Sequence, residues 1–209
     1  MASQIYFSKF LVTEQVFYKT AYCYALVNLK PIIPGHVLVV PLRTDIRELS
    51  QLTPIETHDY FNTVQLIQQF IRWYYNADSI NIAIQDGPEA GQSVPHLHTH
   101  IIPRFQLNNI GDKVYEHMDI WTWEQRRDNY RTAGGRIKRK ELERQNTMNN
   151  AKMSVEEEKE IVNEGKMLKP DEQRVERTSE QMKEEAITLA EKLKEFLSQK
   201  PEMKKWIPQ

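Results

Sequence analysis

His96, His98 and His100 place three of the chain's six histidines within five residues. In an extended strand successive side chains alternate faces, so positions i, i+2 and i+4 point the same way, each roughly 6–7 Å from the next. Leu97, Thr99 and Ile101 then face the opposite side, towards a core. Imidazoles this close disfavour one another's protonation, which keeps at least one neutral and nucleophilic near pH 7. Two strand histidines at i, i+2 also suit zinc, but no acidic residue or cysteine lies nearby to complete or support a closed site. The preceding run Gln85–Val94, QDGPEAGQSV, is a glycine-bearing loop that feeds into the cluster. Its backbone N–H groups, the Ser93 hydroxyl and the Gln92 amide form an uncharged donor set suited to phosphate oxygens. Neutral donors beside imidazoles favour phosphoryl or nucleotidyl chemistry over a metal cage. A tight turn without a ligand is the plain alternative for the loop alone.

The elements around the cluster read as short strands and one long helix. AYCYALVN (Ala21–Asn28) and HVLVVP (His36–Pro41) are β-rich runs joined by a Pro/Gly connection of hairpin length. Thr53, Pro54 and Glu56 supply an N-cap, a first-turn proline and a capping-box acid. Phe61, Val64, Ile67, Ile71 and Tyr74 follow at steps of three and four, which predicts a helix over Pro54–Tyr75 with one buried face. Ser79–Gln85 and His96–Arg104 are further strand candidates. Strands on short loops around one helix give an α+β class with a mostly antiparallel sheet.

The formal net charge of -1 over 209 residues hides two different materials. Residues 1–110 hold only 15 of the 57 charged side chains. Between Tyr130 and Phe196 there is no aromatic residue, and the stretch to Arg177 lacks the apolar area to offset chain entropy. The expected organisation is a catalytic domain over 1–130, a mobile charged insertion over 131–177 and a C-terminal segment over 178–209. In that last segment Thr178 and Gln181 form a second capping box. Met182, Ala186, Leu189, Leu193 and Phe196 then mark an apolar face on a helix at about Ser179–Ser198, which returns to pack on the domain. The near-neutral charge argues against a generic nucleic-acid partner, and no apolar run is long enough to span a bilayer. Cys23 is the lone cysteine, expected as a small core residue whose apolar neighbours raise its pKa. These features suggest a cytoplasmic protein. GRIKRK (135–140) reads as a solvated charge run, with a nuclear-localisation patch as the alternative.

The run His96-Leu97-His98-Thr99-His100-Ile101-Ile102 resembles the His-φ-His-φ-His-φ-φ signature of the histidine triad superfamily, where φ is apolar, with Thr99 as a mild departure. QDGPEAGQSVPHLHTHIIPR and ALVNLKPIIPGHVLVVPLR resemble its fragile histidine triad branch, the dinucleoside triphosphate hydrolases, and the long insertion is similar to that of fungal members. The resemblance implies the histidine triad fold: a mostly antiparallel sheet with one long helix and a C-terminal helix. It implies hydrolysis of diadenosine polyphosphates to a mononucleotide and a nucleoside diphosphate through a covalent nucleotidyl-histidine. His98 would be the nucleophile and His100 would stabilise charge on the α-phosphate. The His96 carbonyl would fix the His98 tautomer, and His36 would orient the others. Gln85, Gln92 and Ser93, with the backbone of Gly91 and Val94, would contact the phosphate chain, as would His100. Asn28 would bond the ribose hydroxyls.

The same resemblance implies no fixed metal site and no tightly bound cofactor. A divalent cation, Mg²⁺ or Mn²⁺, would arrive on the polyphosphate. It further implies a homodimer, with Trp73-Tyr74-Tyr75 at its interface, and a mobile-loop role for Tyr115. Ile5, Phe7, Phe10 and Leu38 would line a base pocket or belong to ordinary core. His58 and His117 are expected as exposed histidines without a catalytic part. A reading from another class stays open: a nucleotide-bound signalling or scaffold protein whose substrate complex is the active species.

Overall fold

The computed structural model of the protein describes residues 4–106 and 176–207. Tyr115, His117, GRIKRK and all but the last two residues of the expected insertion lie outside the described residues. Strands β3 (Val16–Lys19), β4 (Cys23–Val27), β5 (Val37–Pro41), β6 (Ser79–Ile84) and β7 (Thr99–Arg104) form one sheet in the order β3–β4–β5–β7–β6. Every neighbouring pair is antiparallel. Two shorter strands, β1 (Tyr6–Phe7) and β2 (Phe10–Leu11), make a separate hairpin. The class is α+β, as expected.

One face of the sheet carries the helices. Helix α1 (Pro54–Tyr74) starts on the expected capping box, in which Thr53 accepts from the Glu56 amide. The Glu56 carboxylate in turn accepts from Thr53 N at 2.9 Å. Arg43 pairs with that carboxylate at 2.7 Å and holds it well below the usual range, at about 2. Tyr60, Val64, Leu66, Ile67, Phe70 and Ile71 are buried against Cys23, Ala25, Val27, Val37, Val39, Leu97 and Ile101. Each large apolar side chain removed from water contributes roughly 1.5–3 kcal/mol. Phe61 is not in that face: it is 43% exposed, because the buried stripe is centred one residue earlier, on Tyr60, and Phe61 only meets the edge of the Tyr60 ring.

Helix α2 (Ser179–Gln199) opens on the Thr178–Gln181 capping box. Its buried residues are Met182, Ala186, Leu189, Leu193 and Phe196, the stripe read from the sequence. Phe196 packs on Trp73 with ring centroids 5.3 Å apart, and Tyr74 stacks on Phe70. The aromatic end of α1 thus packs in part on α2 of the same chain, and Trp73, Tyr74 and Tyr75 stay half-buried. Cys23 is buried as expected, but its neighbours are partly polar: Asp59 Oδ2 at 3.1 Å and Thr63 Oγ1 at 3.2 Å. Burial pushes its thiol up to about 12.

The opposite face carries two apolar clusters. Ile5, Val12, Tyr24, Leu26, Leu38 and Val40 form the first, with Phe7 against it, and Ile102 with Ile32, Ile33 and Ala83 forms the second. His100 stands on this face between them, opposite Leu38 on β5 and Ala83 on β6. Among the described residues no helix is long and apolar enough to cross a membrane.

Candidate active site

Strand β7 begins at Thr99, so His96 and His98 precede the ladder and only His100 lies in it. The expected alternation still holds through this entry, with Leu97, Thr99 and Ile101 fully buried on the helix side. The rings of His98 and His100 meet edge to face with centroids 4.9 Å apart. His36 directly precedes β5, two residues before Leu38, and this diagonal brings its ring to 5.2 Å from that of His100.

Hydrogen bonds assign the tautomers. His98 Nδ1 lies 2.8 Å from the His96 carbonyl oxygen. A carbonyl only accepts, so the proton is on Nδ1 and the lone pair is on Nε2. At His36 the Ile32 amide donates to Nδ1 at 3.1 Å, which puts the proton on Nε2. That nitrogen stands 2.9 Å from His100 Nδ1, which therefore accepts and leaves the His100 proton on Nε2. His98 and His100 thus hold opposite tautomers. Burial lowers the pKa of His98, which favours the neutral ring.

His96 has a different character. Its Nδ1 accepts from Ser8 N at 3.0 Å and its Nε2 donates to the Arg43 carbonyl at 3.0 Å. Burial, and then the neighbouring His98, push its pKa down to about 4. With both nitrogens committed to backbone, His96 ties the β1–β2 turn to the end of β5 and offers its own carbonyl to His98. It has no lone pair left for a metal. Phe7, a candidate for base pocket or core, packs edge to face on His98 at 5.3 Å and lies 5.5 Å from His96. Ile5 and Leu38 are buried in the cluster beside it, whereas Phe10 is half exposed.

The loop donors sit close by in chain and ladder. Ile84 pairs with Thr99, so Gln85 leaves β6 at the end where His98 enters β7. Gly91 takes φ +92° at the close of a 3-10 turn over Pro88–Ala90, and the Gln92 amide N–H returns to the Gly87 carbonyl at 3.1 Å. Gln85, Gln92 and Ser93 are all buried, and Val94 is half-buried. The Gln92 side chain donates to the Arg47 carbonyl at 2.8 Å, which anchors its amide in the loop. The Asn28 side-chain amide lies 3.2 Å from His36 Nε2, and its Oδ1 accepts from the Lys30 amide. His58 is exposed on α1, away from these groups.

Sequence reasoning missed Ser8 and Arg43, which act here through backbone atoms and so leave no side-chain signature. It also missed Arg177, placed at the end of the expected insertion, which bonds the Asn28 carbonyl at 3.0 Å. Among the described residues there is no group of three or more His, Cys, Asp or Glu side chains arranged to hold a metal ion.

A buried triad on an antiparallel sheet, with a fourth histidine behind it, defines the class, and the chain belongs to the histidine triad (HIT) family. The HIT domain family model matches residues 10–107. A bis(5'-adenosyl)-triphosphatase of Saccharomyces cerevisiae is 55% identical over 214 aligned residues, covering 99% of this chain and 100% of the relative. An asymmetrical bis(5'-nucleosyl)-tetraphosphatase of Schizosaccharomyces pombe is 51% identical over 120 residues, covering 57% of this chain and 65% of that one. Among solved structures, the Plasmodium falciparum diadenosine triphosphate hydrolase bound to cyclomarin A is similar with a TM-score of 0.49 and 33% identity, over 57% of this chain and 82% of that chain.

Proposed function

We propose that this chain hydrolyses P1,P3-bis(5'-adenosyl) triphosphate to AMP and ADP through a covalent nucleotidyl-histidine at His98. The substrate is suggested by the bis(5'-adenosyl)-triphosphatase that aligns along the whole chain. The observation that carries the mechanism is the pair of opposite tautomers, with a lone pair on His98 Nε2 and a proton on His100 Nε2.

In the first step His98 Nε2 attacks the phosphorus of one adenylyl unit. The N–P bond forms as the bond to the bridging oxygen breaks, and ADP leaves with that oxygen. The positive charge that develops on the His98 ring is offset at Nδ1–H by the His96 carbonyl. His100 donates from Nε2 to an oxygen of the attacked phosphoryl group, where negative charge grows in the transition state. In the second step water attacks the same phosphorus, the N–P bond breaks, and AMP is released with the His98 lone pair restored. Splitting one displacement into two lets a neutral imidazole replace a poorly nucleophilic water in the harder step.

Gln85, Gln92, Ser93 and the backbone of Gly91 and Val94 receive the phosphate chain, and Asn28 receives the ribose. A divalent cation, Mg²⁺ or Mn²⁺, enters as part of the substrate and offsets the charge on the polyphosphate. The acting form is a homodimer in the cytoplasm. Hydrolysis of diadenosine triphosphate in ¹⁸O-water tests the reading: labelled AMP with unlabelled ADP is expected. Label in ADP would contradict attack at the phosphorus of the AMP product.

A further inference from the structure

The connection between β4 and β5, residues 28–36, carries Asn28 at one end and His36 at the other. Both ends are gripped by groups that converge on Glu185 of α2, outside residues 10–107. At the first end the Arg177 guanidinium donates from Nε to the Asn28 carbonyl at 3.0 Å, and Nη2 donates to the same oxygen. The Arg177 backbone amide adds a bond to the Leu29 carbonyl at 3.1 Å. Its Nη1 pairs with the Glu185 carboxylate, with side chains 20% and 21% exposed. At the other end Gly35, at φ +86°, lies against the Tyr75 ring, where a Cβ would stand 2.7 Å from two ring carbons. Tyr75 Oη donates to the other Glu185 oxygen at 3.4 Å. Within the connection, the Asn28 amide touches His36 Nε2. Glu185, Arg177, Asn28, His36, Gly35 and Tyr75 therefore close a ring of contacts.

Arginine suits this position because its planar fork serves one carbonyl and one carboxylate at once, which a lysine ammonium cannot do in fixed geometry. A carbonyl taking two donors from one guanidinium is fixed in direction, and so is the Cα that bears the Asn28 side chain. We propose that Arg177, oriented by Glu185, is a positioning residue for the nucleoside end of the site: it sets the direction of the Asn28 amide. The functional part of this inference rests on the reading that Asn28 meets the ribose. Its consequence is that discrimination between ribose and deoxyribose depends on an arginine that touches no substrate.

Two measurements on the full chain test it. Hydrogen exchange across residues 28–36 should quicken at least about tenfold in R177A, with less than about twofold change in the rest of β5 and β7. The ratio of kcat/KM for diadenosine triphosphate over its 2′-deoxy counterpart should fall about tenfold in R177A, the effect of one misdirected hydrogen bond. R177K keeps the charge but lacks the fork, and should lose about threefold in that ratio. Unchanged exchange across 28–36 in R177A overturns the clamp whatever the activity. Faster exchange with an unchanged ribose preference overturns the positioning role. A wild-type chain that leaves diadenosine triphosphate intact contradicts the proposed function, and the clamp is then decided by the exchange data.

Discussion

Tyr60 Oη lies 2.7 Å from Thr99 Oγ1, and both residues are buried. Thr99 occupies a position where the histidine triad signature has an apolar residue, and the Tyr60 hydroxyl supplies the partner that a buried threonine requires. The same hydroxyl is 3.0 Å from the Val39 carbonyl, so Tyr60 spans β5 and β7 directly beneath the histidines.

This arrangement predicts unequal single mutants. T99V leaves Tyr60 bonded to Val39 and should cost less than about 1 kcal/mol, whereas Y60F strands the Thr99 hydroxyl and should cost about 1–3 kcal/mol. The double variant should be no less stable than Y60F alone, giving a coupling of about 1 kcal/mol in urea unfolding. Strictly additive losses would show that the two hydroxyls do not share a bond.

His96 should behave as a structural member of the triad. Replacing it by Ala removes the partners of the Ser8 amide and the Arg43 carbonyl, and should lower stability by about 2–4 kcal/mol. Turnover should fall less than on loss of His98, because the His96 backbone carbonyl survives the substitution. An H96A chain as stable as wild type would contradict this assignment.

The two buried rings also set a pH dependence. His96 has a folded pKa of about 4 against an ordinary 6.5, and His98 is shifted the same way. Between those values the unfolded chain binds more protons, so stability is full above the unfolded pKa and declines as pH falls towards the folded one. His96 alone accounts for about 3 kcal/mol across this window. Urea midpoints should drop between about pH 7 and about pH 4.5 and stay flat from about pH 7 to 8. The acid limb of kcat/KM, which reports the free His98, should lie below about pH 6.5. A limb above that value would contradict a desolvated, neutral nucleophile.

Much of this was legible because it is local. The capping boxes at Thr53 and Thr178, the stripe of α2 and the alternation from Leu97 to Ile101 each follow from neighbours within a few residues. What escaped depends on distant backbone. His96 is held by atoms from Ser8 and Arg43, 88 and 53 residues away, so nothing in its own surroundings separates it from His98 and His100. The packing of Phe196 on Trp73 escaped too, because α2 begins more than a hundred positions later. Arg177 was unreadable for the same reason: its partner, Asn28, is 149 residues away.

The central claim is that His98 Nε2 carries the nucleotidyl group. Rapid mixing with diadenosine triphosphate, an alkaline quench that preserves N–P bonds, and mass analysis of the peptide spanning residues 96–104 test it most directly. The expected result is one adenylyl group on His98, formed and lost at rates that match turnover. H98N should show neither adduct nor hydrolysis, with kcat reduced by at least about 10³-fold and substrate binding largely kept. Turnover without an adduct in the wild type, or hydrolysis persisting in H98N, would contradict the account.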